Sequence, residues 1–407
     1  MPLPLEGYRI LELGMWGAIP HGGCHLADMG AEVIKIEEPV GGDRTRGMFN
    51  STALDFYFPH QINYVFERMN RGKKSVGVDV RKEEGKQAVY RLLTNCDAFV
   101  TGLRRKTLKK VGLDYDSVSK VNPRIIYVHL SAFGAKGPDA DLPGQDLTGQ
   151  ARGGLLERMR PRPEDGPLAE GIQSVADLTS SLQLAYATTL ALLTRERTGV
   201  GQEVNVSILG GQIAVGDILF QIYLTTGGEP YFRERTRVGN PIRNIYRCAD
   251  GKWLALGMSE GDRYWPYFCQ AIGRPDLAKD ARFDHINKRV ENRIQLIAIL
   301  DEVFSTKSRD EWCFILKESD CTAAPVQTYA ELAQDPQVLA NNYITTVDHP
   351  TYGPMQQVGL TVDLSKTPGR VRSSAPEMGQ HTEEILMELG GYTWEEISAL
   401  KDSGATI

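Results

Sequence analysis

Two aspartates, Asp146 and Asp177, stand at positions where a carboxylate could act as a nucleophile or as a general acid–base group. Asp177 ends the stretch 171–177, and from Leu178 the sequence turns helical, with spacings that give the helix one apolar face. The apolar positions are Leu178, Leu182, Ala185, Tyr186, Leu190 and Leu193. The helix is expected to end at residues 195–199, where cations precede a glycine. Asp177 is therefore predicted at the positive end of a helix dipole, near unpaired N–H groups.

The residue type and position of Asp177 leave two interpretations open. Aspartate is among the preferred N-cap residues, so its side chain could do no more than cap the helix. Alternatively, the helix start keeps the carboxylate ionised at the mouth of a cleft, where it is available for nucleophilic attack. Both interpretations require the helix to start at or just after this aspartate.

The composition excludes several classes of protein. The chain has 407 residues, enough for two domains, and its 41% hydrophobic and 24% charged residues are typical of a globular protein. A net charge of −6 gives no overall basic footprint, so nucleic acid is not an expected partner. No apolar run approaches the length of a membrane span, and the N-terminus lacks the features of a signal peptide. Six scattered cysteines without a CxxC pair, and no histidine spacing typical of a metal site, indicate a cytoplasmic protein without bound metal.

Alternating strand and helix patterns run from Tyr8 to about Leu209, which predicts an α/β domain with a parallel sheet. The first turn, residues 14–20, does not match GxGxxG, so the dinucleotide fingerprint is absent. Glu37 follows the second strand, where a ribose-binding acid would stand in a Rossmann protein. Without the glycine fingerprint, a nicotinamide-dependent oxidoreductase is not expected.

The sequence pattern changes after a predicted helix that leads out of this domain. Residues 244–256 are typical of a hairpin around an Asp-Gly turn. Helices are predicted near residues 260–273, 292–305 and 308–318. This part of the chain is therefore expected to form a smaller α+β domain.

Basic residues stand near the ends of several predicted strands. In open α/β sheets the ligand crevice lies outside the carboxyl ends of the strands. A chain that is acidic overall but basic at that edge suggests a phosphate-bearing ligand, although an ordinary solvated surface explains the same spacing. The residues concerned are Arg71, Lys73, Lys74, Arg81, Arg104, Arg105, Lys106, Lys109 and Lys110.

Short motifs along the chain carry a resemblance to a known family. They include Leu5–Leu13, Gly30–Pro39 with Gly42-Asp43, Asn70-Arg71, Asn122–Tyr127, Phe133-Gly134, Thr198-Gly199, Gly239-Asn240, Asp250-Gly251 and Gly379–Thr382. In their order and spacing, these motifs resemble the family III CoA-transferases, which also include the α-methylacyl-CoA racemases. The resemblance extends over essentially the whole chain.

The resemblance implies a chemistry for the two aspartates. The family's nucleophile is an aspartate directly before a helix, downstream of a Gly-x-Asp element, and these features match Asp177 and Asp146. Asp177 is then expected to form an aspartyl anhydride and an aspartyl-CoA thioester, with Asp146 in a supporting role. Acyl-CoA and a carboxylic acid are the implied substrates, and no metal or permanently bound cofactor is required.

Two other functions remain as alternatives at this point. The racemases of the family place a histidine directly before the second acidic position, where this chain has Gln145. Because glutamine cannot carry the α-proton, racemisation would lose one of its two bases. A non-catalytic CoA-binding protein is the alternative of a different class, since it would need neither Asp177 nor Asp146.

The resemblance also implies a set of CoA-binding positions. They are Trp16, Gly17, Ala18, Lys74, Val78, Arg81, Gly102, Leu103, Arg104 and Lys110. The loop at residues 102–106 keeps the arginine of the family's pattern but lacks its asparagine and Pro-Gly, so Arg105, Lys106 and Lys110 are expected to take over phosphate contacts. At position 17 the family commonly has a glutamine that stabilises an oxyanion, whereas a glycine offers only its N–H group.

The implied fold is a large Rossmann-like domain, residues 1–209 with 330–407, and a smaller α+β domain, residues 227–325. Residues 210–226 are expected to form a linking helix. Two chains are expected to interlock as a homodimer, a topology that periodicity could not have indicated.

The motifs at residues 137–144 and 113–115 most resemble the branch of the family that activates aryl or branched 2-hydroxy acids. The resemblance therefore favours an acceptor of that chemical class.

Overall fold

The computed structural model describes residues 1–47, 63–159, 172–229 and 234–407. Gly171, the first residue of the stretch that leads into Asp177, lies outside these ranges. The described residues form two compact units, one made of residues 1–159, 172–229 and 339–407 and the other of residues 234–338.

The larger unit contains a six-stranded parallel sheet in the order β3-β2-β1-β4-β5-β6, together with an antiparallel hairpin, β10–β11. The strands are β1 (Arg9–Leu13), β2 (Glu32–Glu37), β3 (Lys74–Gly77), β4 (Ala98–Thr101), β5 (Ile126–Ser131), β6 (Gln202–Ser207), β10 (Ile344–His349) and β11 (Gly353–Val358). This is the strand order of Rossmann sheets. The prediction of an α/β fold with a parallel sheet is confirmed.

Helices cover both faces of this sheet, which explains why strands such as β5 read as continuous buried runs. The helices of the unit are α1 (Ala18–Asp28), α2 (Tyr64–Asn70), α3 (Glu83–Leu93), α4 (Arg105–Val111), α5 (Tyr115–Val121), α6 (Asp146–Arg152), α7 (Leu155–Arg158), α8 (Val175–Thr198), α9 (Ile208–Val215), α10 (Asp217–Thr226), α17 (Thr382–Glu388) and α18 (Trp394–Asp402). The segment expected to be one linking helix, residues 210–226, thus contains parts of two helices.

The long helix α8 packs against the sheet through a face other than the apolar one noted in the sequence. Its buried side chains are mostly small or hydroxylated, among them Ala176, Ser180, Ser181, Leu184 and Thr188. They allow close contact with α1, where a Cβ on Gly22 would lie 2.8 Å from the side chain of Leu184. Of the apolar face, Leu182, Tyr186, Leu190 and Leu193 are exposed instead.

The smaller unit contains a three-stranded antiparallel sheet in the order β7-β8-β9. Its elements are β7 (Ile245–Arg247), β8 (Trp253–Leu256), α11 (Gly261–Ala271), α12 (Ile286–Glu291), α13 (Arg293–Phe304), α14 (Arg309–Glu318), β9 (Ala323–Pro325) and α15 (Tyr329–Leu332). Helix α16 (Pro336–Ala340) crosses the boundary at residue 338. The predicted hairpin is confirmed, and its strands pack on a core rich in aromatic side chains.

Within the described ranges, no single helix is long and apolar enough to cross a membrane. One bent pair, Ile208–Val215 with Asp217–Thr226, meets the length and composition criteria only when the two helices are taken together.

The strand order of the larger sheet reverses between β1 and β4. The chain runs from β1 outward to β3 on one side, and from β4 outward to β6 on the other. The carboxyl ends of β1 and β4 therefore flank the point where the order reverses, which is where open α/β sheets bind ligands.

Candidate active site

Asp177 is the third residue of α8 and not its N-cap. The helix begins at Val175, three residues before the predicted start, and Ser174 occupies the N-cap position with a φ of 60° and no capping bond from its side chain. The interpretation of Asp177 as a helix cap is therefore wrong. The Asp177 carboxylate is therefore not the group that accepts the first N–H groups of the helix, as an N-cap side chain would.

Asp146 caps α8 from another helix. Asp146 opens α6, and its Oδ1 accepts the N–H groups of Ala176 at 2.7 Å and Asp177 at 3.1 Å. Its Oδ2 accepts the N–H of Ser174 at 3.1 Å and the amide of Gln150 at 2.5 Å. These bonds occupy the unpaired donors at the start of α8 and fix the backbone from which the Asp177 side chain projects.

The Asp177 carboxylate lies directly against the turn that follows β1. An ideal Cβ on Gly17 would stand 2.2 Å from Asp177 Oδ2 and 3.0 Å from its Cγ, far inside van der Waals contact. Gly17 has φ −89° and ψ −71°, a conformation open to any residue, so only the approach of the carboxylate requires glycine here. The structure thus brings the predicted nucleophile to the predicted oxyanion turn.

The environment of Asp177 works against ionisation. Burial, and secondarily the negative charge of Asp146, raise the pKa of Asp177 from 3.8 to about 7. The expectation that the helix start keeps this carboxylate ionised is therefore wrong in sign. The reason is that the N–H groups of the helix start bond to Asp146 and not to the Asp177 side chain. The negative charge of Asp146 therefore lies beside Asp177, and Asp177 has no such donors to stabilise its own charge.

Asp146→Asn is expected to shift the pH dependence of the reaction and to weaken the fold. Without the neighbouring charge the pKa of Asp177 falls, so activity should persist to lower pH than in the wild type. The NH₂ group of the asparagine would face the two donors that now bond to Oδ2, those of Ser174 and Gln150. This should lower the free energy of unfolding by about 1–3 kcal/mol. A pH–rate profile and a urea unfolding curve measure the two effects.

Asp139→Asn serves as the matched control for this variant. Asp139 lies in the preceding loop and pairs with Arg152 at a partly exposed site. Its substitution should leave the pH midpoint unchanged. An Asp146→Asn profile that coincides with that of the wild type would show that Asp146 does not influence the titration of Asp177.

The structure brings two of the predicted CoA-binding segments together. They are Trp16, Gly17 and Ala18 after β1, and Gly102, Leu103 and Arg104 after β4. The side chain of Ile19 lies between them, since a Cβ on Gly14 or on Gly102 would collide with it at 2.4 Å and 2.7 Å. Sequence reasoning missed Ile19, because an isoleucine in a predicted turn gave no signal for this role, and the structure places it in the first turn of α1.

The basic residues separate into two groups. Arg81 follows β3, and Lys106, Lys109 and Lys110 lie on α4 after β4, so these lie toward the carboxyl edge. Arg81 pairs with Asp79 and Glu38. Among the described residues, Arg104, Lys106, Lys109 and Lys110 have no acidic partner, whereas Arg105 pairs with Glu203.

Residues 71–74 do not belong to that edge, because Arg71 and Lys73 precede β3 and Lys74 is its first residue. Lys74 pairs with Glu32 and Glu384 at the amino edge of the sheet, beside a cavity of about 280 Å³, so the structure does not bring it to the candidate site. Arg71 and Lys73 are buried in ion pairs. Val78 is buried in the core under the sheet, and any contact with a ligand would have to come from its backbone.

Asp43 is a further residue whose place near the site the sequence did not reveal. Its Oδ1 accepts the N–H of Trp16 at 3.3 Å, and Trp16 has a φ of 70°. The available signal was Glu12 and Lys35, two charged residues that each have apolar neighbours on both sides in their strands. In the described part of the chain, no group of three or more histidine, cysteine or acidic side chains could hold a metal ion.

Comparison with known proteins identifies the family of this chain. The model of CoA-transferase family III matches residues 5–382, and the chain belongs to that family. It is 32% identical to (R)-2-hydroxy-4-methylpentanoate CoA-transferase of Clostridioides difficile, covering 98% of both chains. It is 33% identical to succinyl-CoA–D-citramalate CoA-transferase of Chloroflexus aurantiacus, covering 98% of this chain and 97% of the relative.

Solved structures of similar sequence superpose on this chain over nearly its whole length. A CaiB/BaiF family protein from Brucella suis superposes with a TM-score of 0.81 at 30% identity, covering 96% of this chain and all of the other. A Mycobacterium tuberculosis protein superposes with a TM-score of 0.81 at 29% identity, covering 94% and 98%. The protein is therefore a CoA-transferase that uses CoA thioesters, and the racemase and the non-catalytic binder are not favoured.

Proposed function

We propose that this enzyme moves CoA from an acyl-CoA donor to a free carboxylic acid through covalent intermediates on Asp177. The observation that carries the proposal is the position of the half-buried Asp177 carboxylate against Gly17, at the point where the strand order reverses. A carboxylate placed there can reach a thioester carbonyl held by the same turn.

The proposed reaction has two halves. In the first, an Asp177 oxygen attacks the thioester carbonyl, the C–S bond breaks, and a mixed anhydride and CoA thiolate form. The thiolate then attacks the aspartyl carbonyl, which releases the donor acid and gives an aspartyl-CoA thioester. In the second half, the acceptor carboxylate attacks that thioester and the same steps run in reverse, so every bond broken is matched by one formed.

The start of α1 offers donors for the oxyanion that forms in each attack. The first N–H groups of a helix have no acceptor within it, and in α1 these are the N–H groups of Ala18 and Ile19, because Pro20 has none and the N–H of His21 bonds to the carbonyl of Gly17. They lie on the same turn as the contact with Asp177. We propose that this backbone replaces the glutamine side chain that the family commonly uses.

We propose that the unpaired cations after β4 bind the phosphates of CoA. Arg104 and Lys110 are exposed, and the described residues give neither an acidic partner. Arg104 directly follows the Gly102 turn and Lys110 lies in the last turn of α4, and exposed cations suit the binding of a phosphate or diphosphate. The Trp16 side chain, also partly exposed, is the other predicted contact near this turn.

Reversing both charges, Arg104→Glu with Lys110→Glu, is expected to raise KM for acyl-CoA by roughly 10-fold or more with a smaller change in kcat, since the lost contacts are remote from the reacting carbonyl. Initial rates against acyl-CoA concentration measure the split. Lys120→Glu, an exposed change on α5, is the control and should leave KM unaltered. An unchanged KM in the double variant would exclude these cations as phosphate ligands.

For the acceptor, we propose an aryl or branched 2-hydroxy acid. The support is the similarity of residues 137–144 and 113–115 to that branch, and the names of relatives that act on 2-hydroxy acids. Cinnamoyl-CoA:phenyllactate CoA-transferase of Clostridium sporogenes, 30% identical over 97% of this chain, is another such relative.

We propose that the enzyme is an interlocked homodimer in the cytoplasm. The exposed apolar face of α8 supports a second copy as its cover, with Leu182 53% and Tyr186 66% exposed. A dimer has twice the mass of the 45.1 kDa chain, which sedimentation equilibrium measures. The six free cysteines agree with a reducing compartment.

Exchange of an isotopically labelled free acid into its acyl-CoA tests the proposed activity. A CoA-transferase catalyses this exchange with no other substrate, because the enzyme-bound thioester returns CoA to either acid. A binding protein does not catalyse it, and a racemase instead exchanges the α-hydrogen with deuterium from solvent. α-Deuterium exchange without acid exchange would overturn the proposal.

A further inference from the structure

Four fully buried charged side chains form one cluster beneath the turn that faces Asp177. The buried charge cluster consists of Glu12 on β1, Lys35 on β2, Asp43 in the loop after β2, and Lys73 before β3. Lys35 Nζ pairs with Glu12 at 3.2 Å and with Asp43 at 2.9 Å. Lys73 Nζ pairs with both oxygens of Glu12, at 2.8 and 2.9 Å.

The buried charge cluster bonds to the backbone on both sides of Gly17. Lys35 Nζ donates to the carbonyl of Gly14 at 2.8 Å, and Lys73 Nζ donates to the carbonyl of Pro20 at 2.7 Å. Asp43 Oδ1 accepts the N–H of Trp16. Three members of the cluster thus hold residues 14, 16 and 20, which bracket the glycine that contacts the Asp177 carboxylate.

The left-handed conformation of Trp16 shows why the turn needs such support. Its φ of 70° is unfavourable for a bulky side chain and persists only where the surroundings enforce it. The bond from Trp16 N–H to Asp43 lies at this residue. The same Oδ1 is held in turn by the N–H of Thr45 at 3.0 Å and its hydroxyl at 2.8 Å.

Stability alone is a weak reason for a cluster of this kind. Removing four charged groups from water costs several kcal/mol per ion, and well-packed apolar residues often stabilise the fold as well or better. Burial alone would raise the pKa of Asp43, but Lys35 and the Thr45 bonds hold it below its ordinary value, so the carboxylate remains charged at neutral pH. Three of the four charged groups, Lys35, Asp43 and Lys73, bond to the backbone of the same turn.

We propose that the buried charge cluster is a positioning device for the catalytic turn, with Asp43 as its key residue, and that it sets the rate of attack by Asp177 without itself contacting CoA. This inference rests on the proposed function. It predicts that loosening the cluster slows formation of the covalent intermediate while the affinity for CoA is retained.

Asp43→Asn is the most direct test because it keeps the shape and removes the charge. The asparagine has one acceptor oxygen, so it can face either Lys35 or the N–H of Trp16, but not both. We expect the rate of covalent trapping on the enzyme by acyl-CoA to fall at least 10-fold, with the Kd for CoA within threefold of the wild type. Thr45→Val, which removes one bond to Asp43 Oδ1, should lower the rate less and serves if Asp43→Asn does not fold.

Asp97→Asn is the matched control. Asp97 pairs with the buried Arg195 at 2.7 Å, before β4 and so at the opposite edge of the sheet. This variant should lose stability but keep the trapping rate per folded molecule. If Asp97→Asn slows trapping as much as Asp43→Asn does, the effect follows the fold in general and the inference is overturned.

A second measurement reports the turn itself. In protein labelled with 5-fluorotryptophan, the Trp16 resonance, identified by its loss in Trp16→Phe, should shift or broaden in Asp43→Asn and not in Asp97→Asn. An unchanged resonance, or a changed one with an unchanged trapping rate, overturns the inference. If the wild type shows neither trapping nor acid exchange, the proposed function fails, and the Trp16 resonance alone then decides whether Asp43 positions the turn.

Discussion

Asp177→Asn is expected to lower CoA transfer by roughly 10⁴-fold or more, the scale of losses seen when a covalent nucleophile is removed. The side chain would keep its size and its place against Gly17, but an amide cannot form the anhydride. Initial-rate measurement of labelled acid exchange gives the result directly. The affinity for CoA, measured by calorimetry, should remain close to that of the wild type.

The same substitution is expected to stabilise the protein at alkaline pH. The folded-state pKa of about 7 lies above the ordinary value of 3.8, so the wild type gives up stability as pH rises between these values and bears the full cost above pH 7. At ~1.4 kcal/mol per pKa unit, that cost is at most ~4 kcal/mol. The gain from asparagine should therefore grow between pH 5 and pH 8.

Urea unfolding at several pH values separates this effect from a general change. Asp363→Asn, at an exposed position, is the control and should show neither a loss of activity nor a pH-dependent gain. An Asp177→Asn variant that is less stable than the wild type at pH 8 would mean that the ionised Asp177 carboxylate does not destabilise the folded protein. Retained transfer activity would remove Asp177 from the mechanism.

Gly17→Ala is expected to lower kcat by roughly 10²-fold, because displacements of about 1 Å at a reacting group cost that much. The added methyl would stand 2.2 Å from Asp177 Oδ2, so the carboxylate must move away from the turn. The backbone of Gly17 is already suited to alanine, which makes the steric contact the only source of the effect. The KM for acyl-CoA should change much less than kcat.

Gly47→Ala is the control for this prediction. A Cβ on Gly47 has no atom within 4 Å among the described residues, and its φ is not in the left-handed region. This variant should have wild-type kcat. Full activity in Gly17→Ala would show that the contact between the carboxylate and the turn is not needed for attack.

Much of the larger unit could be predicted from the sequence, since its strands are short apolar runs separated by turn residues. The two aspartates, the first turn and the Gly102 loop were also recognisable. The capping arrangement was not, because it depends on a contact between Asp146 on α6 and the start of α8 that no local pattern encodes. The sequence therefore suggested a capping role for Asp177, whereas a different helix supplies the cap.

Two further predictions from the sequence, the location of Lys74 and the ionisation of Asp177, were wrong for physical reasons. Basic residues at the start of β3 and after its end look alike in the sequence, but only those after its end lie toward the carboxyl edge, so Lys74 was assigned to the wrong edge. For Asp177, the dipole of a helix start favours ionisation, yet burial and the charge of Asp146 outweigh it. Burial of this kind is a property of the folded chain and cannot be read from spacing.

The central claim is that Asp177 forms covalent intermediates, and trapping with hydroxylamine tests it most directly. The enzyme would be incubated with acetyl-, succinyl-, cinnamoyl- or isocaproyl-CoA, quenched with hydroxylamine, and digested for peptide mass spectrometry. Hydroxylamine attacks the aspartyl carbonyl of the anhydride or thioester and leaves a hydroxamate. A hydroxamate on Asp177, absent in Asp177→Asn, is the predicted result. A hydroxamate on Asp146, or none with any donor while acid exchange proceeds, would contradict the account.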